Sequence, residues 1–189
     1  MCIAQHVPEM SNSELNGLAQ NRFIDEETAL AIVKTGYNRA LHKLATNSNI
    51  SNKVVDILFQ RRGFVIKCIL IRSGHVSSDR YEEVLAMLNP RLRAHRIMDT
   101  FVGGWYHDGV GTPANLLGQI FDGLVDTGEM RHYWLSYFAR NTGCDLALLA
   151  KLQRFQADKR RAYGVSQAPA DAIRKKLVEL SRQEAAKDK

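Results

Sequence analysis

Trp105, Tyr106, His107 and Asp108 stand side by side in GGWYHDGV, the densest group of chemically able side chains in the sequence. A histidine beside an aspartate can move protons if the fold turns both toward one substrate. Adjacent residues on a loop usually point apart, however, and no serine or cysteine lies near them in a nucleophile motif. The aromatic pair suits another task, folding a long connection back onto the core or anchoring a partner. These four are therefore read as binding residues, and no catalytic residue is assigned.

Metal chemistry finds less. His6, His42, His75, His95, His107 and His132 show no HExxH or other close pairing, and Cys2, Cys68 and Cys144 lie far apart without a CxxC. That scatter predicts no metal site and no cofactor, and an odd cysteine count suits reduced thiols in the cytoplasm. The opening MCIAQHVPEMSN lacks the basic flank and apolar core of a secretory signal. FVIKCILI, the most apolar run, contains a lysine and is too short to cross a bilayer. The expectation is a cytoplasmic chain with no membrane insertion.

The basic residues offer a binding surface. Arg61, Arg62 and Lys67 flank one turn, and Arg91, Arg93 and Arg96 flank the corresponding region further on. The net charge is +6, yet residues 1–150 hold equal numbers of acidic and basic groups. Residues 151–189 hold eleven basic and five acidic groups, and residues 53–96 hold nine and four. Such asymmetry speaks of partners: an acidic protein surface, or the phosphates of a nucleic acid.

What would position these residues is a repeated phrase. LAQNRFID, LATNSNIS and LIRSGHVS begin at Leu18, Leu44 and Leu70, 26 residues apart each time. Each carries a small polar residue at its fourth place and a β-branched apolar residue at its seventh. Asp25, Ser51 and Ser77 close the phrases where a helix N-cap belongs. The apolar residues that follow recur in register: Ala29, Ile32 and Val33; Val55, Leu58 and Phe59; Tyr81, Val84 and Leu85. Spacings of three and four put each set on one helical stripe. Gly36, Gly63 and Asn89-Pro90 then break the helix, and a second helix follows. One helical pair cannot bury its stripe alone, and stacked neighbours can.

Beyond residue 103 the pattern loosens. Thr112-Pro113 predicts an N-cap and first-turn proline for a helix to about Val125, and Glu129–Arg140 reads as another helix. The phrase returns as FARNTGCD, ahead of a helix with Leu146, Leu149 and Leu152 on its apolar side. The last helix, capped by Ser166 or Asp171, sets Ile173, Leu177 and Leu180 on one face and Arg174, Lys175 and Lys176 around the other. Residues 1–165 are thus expected to form the repeat domain. Residues 166–189 form a basic amphipathic helix that caps the stack or meets a partner.

LAQNRFIDEETALAIV and LATNSNISNKVVDILF resemble leucine-rich repeat variant units, a subgroup of the HEAT-like α-solenoids. The resemblance runs over roughly residues 18–97, and more loosely over 105–155. It implies an all-α fold, a right-handed stack of helix-turn-helix repeats with a period of about 26 in the N-terminal half. Family members often open helices with Thr-Pro, found here only at Thr112-Pro113. Some carry a cysteine cluster for iron and sulfur, which this chain lacks. HEAT-like alkylation-repair glycosylases use tryptophans and an aspartate in a concave face; Trp105, Trp134 and Asp108 are the candidates here, without a matching spacing. The expected function is a non-enzymatic adaptor that recognises a protein partner, with a nucleic-acid-binding solenoid as the alternative and homodimerisation left open.

Overall fold

The computed structural model describes residues 3–61, 63–103, 111–163 and 168–187. Among the described residues all regular structure is helical, with no strand. The chain divides into two compact units, residues 1–87 and 88–189, a division inside the segment read from sequence as one repeat domain.

Unit 1 contains α1 (Asn12–Ala19), α2 (Glu26–Thr35), α3 (Asn38–Ala45), α4 (Asn52–Gln60), α5 (Phe64–Arg72) and α6 (Tyr81–Ala86). α1 packs on α3 and α3 on α5, while α2 packs on α4. The stripes explain why. Ile32, Leu58 and Val84 are wholly buried, as are Leu41, Leu44, Leu70 and Ile71 from the second helices. Each such side chain contributes roughly 1.5–3 kcal/mol on leaving water.

The caps follow the sequence with one exception. Asp25 accepts from the Thr28 N–H at 2.7 Å and Ser51 from the Val54 N–H at 3.4 Å. Ser77 has the extended backbone of a cap but makes no side-chain cap bond, because a 3-10 turn, Ser78–Arg80, intervenes before α6. Gly36 ends α2 in the left-handed region, at φ 72°, where a side chain would strain the backbone.

The repeated phrase forms the turns, and the turns grip one another. The buried Asn47 amide donates to the Ala19 and Asn21 carbonyls at 3.0 and 2.9 Å, and Asn49 donates to the Arg22 carbonyl at 2.7 Å. The Ser51 hydroxyl reaches Glu26 at 2.6 Å, and Arg61 reaches the Val33 carbonyl at 3.2 Å. His75 hydrogen-bonds the Asn47 backbone in turn. Buried backbone carbonyls with no helical partner need such donors.

Unit 2 contains α7 (Pro90–Ile97), one π-helical turn at Met98–Val102, α8 (Ala114–Asp126), α9 (Leu135–Arg140), α10 (Leu146–Tyr163) and α11 (Ala168–Lys187). α11 lies against α9 and α10, and α8 against α7 and α10. Phe121 meets Phe138 and Phe155 edge to face, with centroids 5.7 Å apart in both pairs.

Four local expectations change here. Thr112 does not cap α8: its hydroxyl donates to the Phe101 carbonyl at 2.6 Å, and Pro113 takes the cap position in extended backbone. No single helix covers Glu129–Arg140. Gly128 turns left-handed, Glu129 and Met130 both donate to the Leu124 carbonyl, and helix resumes only at His132–Trp134. Leu146 is exposed, and Leu148 is buried with Leu149 and Leu152. Lys176 is buried and pairs with Glu179 at 3.0 Å, since it shares the three-and-four-spaced stripe of Ile173 and Leu180.

Candidate functional site

α7 opens with a sequence-encoded start: Asn89 accepts from the Arg91 N–H at 3.0 Å, and Pro90 sits in the first turn with its fixed φ. The helix bends at Arg93, whose φ and ψ, −134° and 21°, leave the helical region. It then widens into the π turn, where the Gly103 N–H donates to the Met98 carbonyl at 2.9 Å. Such widened turns occur often at functional sites.

This wall faces α9 across a cleft of about 640 Å³ within unit 2, in the size range of ligand pockets, roughly 300–1,000 Å³. From α7 and the π turn come Leu92, Arg93, His95, Arg96, Met98, Asp99 and Gly103; from the opposite wall come Tyr133, Trp134 and Tyr137. Arg96 and Asp99 on one wall, and Tyr133 and Tyr137 on the other, stand three or four positions apart, the spacing of neighbours on a helix surface.

The aromatic wall is ordered by perpendicular contacts. His95 stands edge-on to Trp134 with centroids 5.2 Å apart, and Tyr133 makes similar contacts with Trp134 and Tyr137 at 5.9 and 6.4 Å. These geometries suit the ring quadrupoles. Trp134 is buried, whereas Tyr133 is 45% and Leu92 80% exposed, so the floor is aromatic and the rim accessible. Burial pushes the Tyr137 phenol up, against the opposing pull of Arg140, so it acts as a neutral hydrogen-bonding group. Arg93 is exposed and Arg96 half-buried, and among the described residues Asp99 is the one lining carboxylate. The cleft therefore combines positive charge with flat apolar surface.

The expected site residues disperse. Arg93 and Arg96 line the cleft; Arg91, exposed on α7, is absent from its lining. In unit 1, Arg61 is half-buried and bound to the Val33 carbonyl. Lys67, expected on a solvated ridge, is instead 5% exposed: its ammonium pairs with Glu83 at 2.8 Å and lies 4.3 Å from the Phe59 ring centroid. Helical spacing explains it, for Lys67 falls among the buried Ile66, Cys68, Leu70 and Ile71. Arg62 and the Trp105–Asp108 group lie outside the described residues. Of the glycosylase candidates only Trp134 is described, and it is buried. Sequence reading passed over Leu92, His95, Met98, Asp99, Gly103, Tyr133 and Tyr137; the signal was a spacing of four and three from Arg96 for Leu92 and Asp99, and of three from Trp134 for Tyr137.

Other features add little chemistry. Among the described residues no group of three His, Cys, Asp or Glu side chains is placed to hold a metal ion. Cys68 and Cys144 are buried thiols, in no disulfide among the described residues, and burial pushes the Cys144 thiol up to about 12, which leaves it inert. No described helix is long and apolar enough to cross a membrane. A groove of about 710 Å³ along α11 has its described lining residues on that helix, with charges of both signs. Compared with known proteins, the chain matches no family, no curated sequence and no solved structure.

Proposed function

We propose that this chain is a non-enzymatic helical-repeat binding module that holds an acidic segment of a protein partner in the unit 2 cleft. One observation carries the reading: Arg93 and Arg96 border an aromatic cleft in which, among the described residues, Asp99 is the one lining carboxylate. Arginine and aromatic side chains supply much of the binding energy at protein interfaces, because they bury large area and pair with carboxylates in a fixed geometry.

The repeat reading of unit 1 belongs to the same proposal. It is supported by the α1–α3–α5 and α2–α4 contacts and by side-chain hydrogen bonds joining residues 24 to 28 apart. In this reading stacked helical pairs make the scaffold, and unit 2 supplies the grip.

The test is selection from a random peptide-display library on the full chain, alongside the double variant R93E/R96E. Enrichment of Asp and Glu near a bulky apolar residue, abolished in the variant, supports the proposal. Equal enrichment on both proteins, or none, overturns it. Oligonucleotide binding that weakens steeply with salt and vanishes in R93E/R96E also overturns it, in favour of a nucleic-acid interface.

A further inference from the structure

Two sets of helices in unit 1 differ in their carboxylates. In the set of α2, α4 and α6, Glu26, Asp56 and Glu83 are matched inside the unit. Glu26 pairs with Lys53 at 3.1 Å and Glu83 with Lys67 at 2.8 Å, while Asp56 meets Arg80 from the preceding 3-10 turn at 3.1 Å. The set of α1, α3 and α5 is unlike it. α3 and α5 contain no Asp or Glu at all, and the single carboxylate of α1, Glu14, is bound to the Ser11 N–H and hydroxyl at 2.8 and 2.7 Å.

What α3 presents outward is a basic stripe. Arg39, His42 and Lys43 recur at helical spacing, Arg39 exposed and the other two half-buried. Among the described residues no carboxylate pairs with Arg39 or Lys43. On α5, which packs against α3, Val65 and Ile69 are half-buried. Two packed helices thus offer cations on one and a partly exposed aliphatic pair on the other.

We infer that this α3–α5 face is a second docking surface, independent of the cleft, and that its partner is an acidic amphipathic helix of another protein. Carboxylates along one edge of such a helix meet Arg39 and Lys43, and aliphatic side chains on the adjoining edge cover Val65 and Ile69. A nucleic-acid strand uses the cations alone. It leaves Val65 and Ile69 uncovered and finds no aromatic ring in the stripe on which to stack a base.

The experiment is a titration of the full chain carrying R93E/R96E, which removes the arginines of the cleft, followed through its backbone amide resonances, with a synthetic amphipathic helix of glutamate and leucine. The same helix with lysine for glutamate and a thymidine oligonucleotide serve as comparisons. The expected result is shifts confined to residues 38–45 and 64–72, and affinity at least tenfold weaker when R39E/K43E is added. V65S/I69S should weaken the peptide and leave the oligonucleotide as it was. Arg39 is exposed and Lys43 half-buried, so R39E/K43E is expected to melt with the parent chain; R39Q/K43Q replaces it if it does not. Shifts elsewhere, equal binding of the lysine helix, indifference to both charge variants, or an oligonucleotide that displaces the peptide from these amides would each overturn the inference. No shift in this background, with shifts in the parent chain only at residues 92–103 and 133–137, would return the peptide to the cleft and overturn the inference.

Discussion

Asn47 in unit 1 and Asn141 in unit 2 perform one task in two settings. Each occupies the fourth place of its phrase, LATN and FARN, and each is buried. Each amide donates to two backbone carbonyls earlier in the chain: Ala19 and Asn21 for Asn47, Phe101 and Val102 for Asn141, all within 2.9 to 3.1 Å. Each side-chain oxygen then accepts the N–H two residues on, from Asn49 or Gly143. The difference lies in what is clamped. Asn47 reaches back 26 to 28 residues to a plain helix end, and Asn141 reaches back 39 to 40 to the π turn beside the cleft. The residue two places on has diverged accordingly. Asn49 extends to the Arg22 carbonyl, whereas a Cβ on Gly143 would lie 1.8 Å from the Thr112 carbonyl oxygen. A short polar motif therefore transfers between settings only where its neighbours leave room.

Gly143→Ala should show the largest effect, because backbone must move to admit the methyl group. We expect a loss of about 3 kcal/mol or more in urea unfolding, whereas Asn49→Ala in unit 1 should cost about 1 kcal/mol. Equal losses at the two positions would dissolve the contrast. Next come the asparagines. Asn141→Ala leaves the Val102 carbonyl without this donor while Phe101 keeps Thr112, and Asn47→Ala strips donors from Ala19 and Asn21. Each should cost roughly 1–3 kcal/mol. Hydrogen exchange should accelerate first at residues 98–102 in the former and at α1 in the latter. Simultaneous acceleration across residues 12–19 and 98–102 in either variant would contradict locally acting clamps.

Asp25→Ala is a smaller perturbation. Loss of its cap to Thr28 should cost about 1 kcal/mol. Hydrogen bonds from Thr28 hold the Asp25 carboxyl below its usual value, so the cap is intact at neutral pH and is lost as acid protonates it. The gap between parent and variant should narrow only at acid pH.

The smallest effect separates the units through histidine. Burial pushes His75 below the ordinary imidazole value, against the opposing pull of its hydrogen bond to the Asn47 backbone, and burial pushes His132 down in unit 2. The unfolded chain then binds more protons than the folded one as pH drops below about 6.5. That stability is present above this value and declines beneath it, levelling off below the lowered folded value. His75→Gln should flatten the slope of the urea midpoint between neutral pH and pH 5.5, and His132→Gln should flatten what remains. An unchanged slope in the double variant would show that neither imidazole senses folding.

Legibility tracked locality. The capping residues Asp25 and Ser51, the stripes through Ile32, Leu58 and Val84, and the breaker at Gly36 could be read directly, since each depends on neighbours within a turn of chain. Thr112 misled because a hydroxyl competent to cap found a nearer carbonyl. Lys67 misled because its charge suggested water, while its helical position demanded burial and Glu83 and Phe59 made that tolerable. Half of the cleft was visible as Arg93 and Arg96. The other half, Tyr133 and Tyr137, lies some forty residues away on a separate helix and carries no motif.

Helical identity, caps and buried stripes were written in the residue order, because a helix is decided by dihedral preference and apolar period over a few positions. The pairing of α7 with α9 around Trp134, the burial of Lys67 and the need for glycine at 143 were decided by the folded chain alone. Each depends on which surfaces meet across long stretches of chain, and close packing makes that meeting selective to a fraction of an ångström.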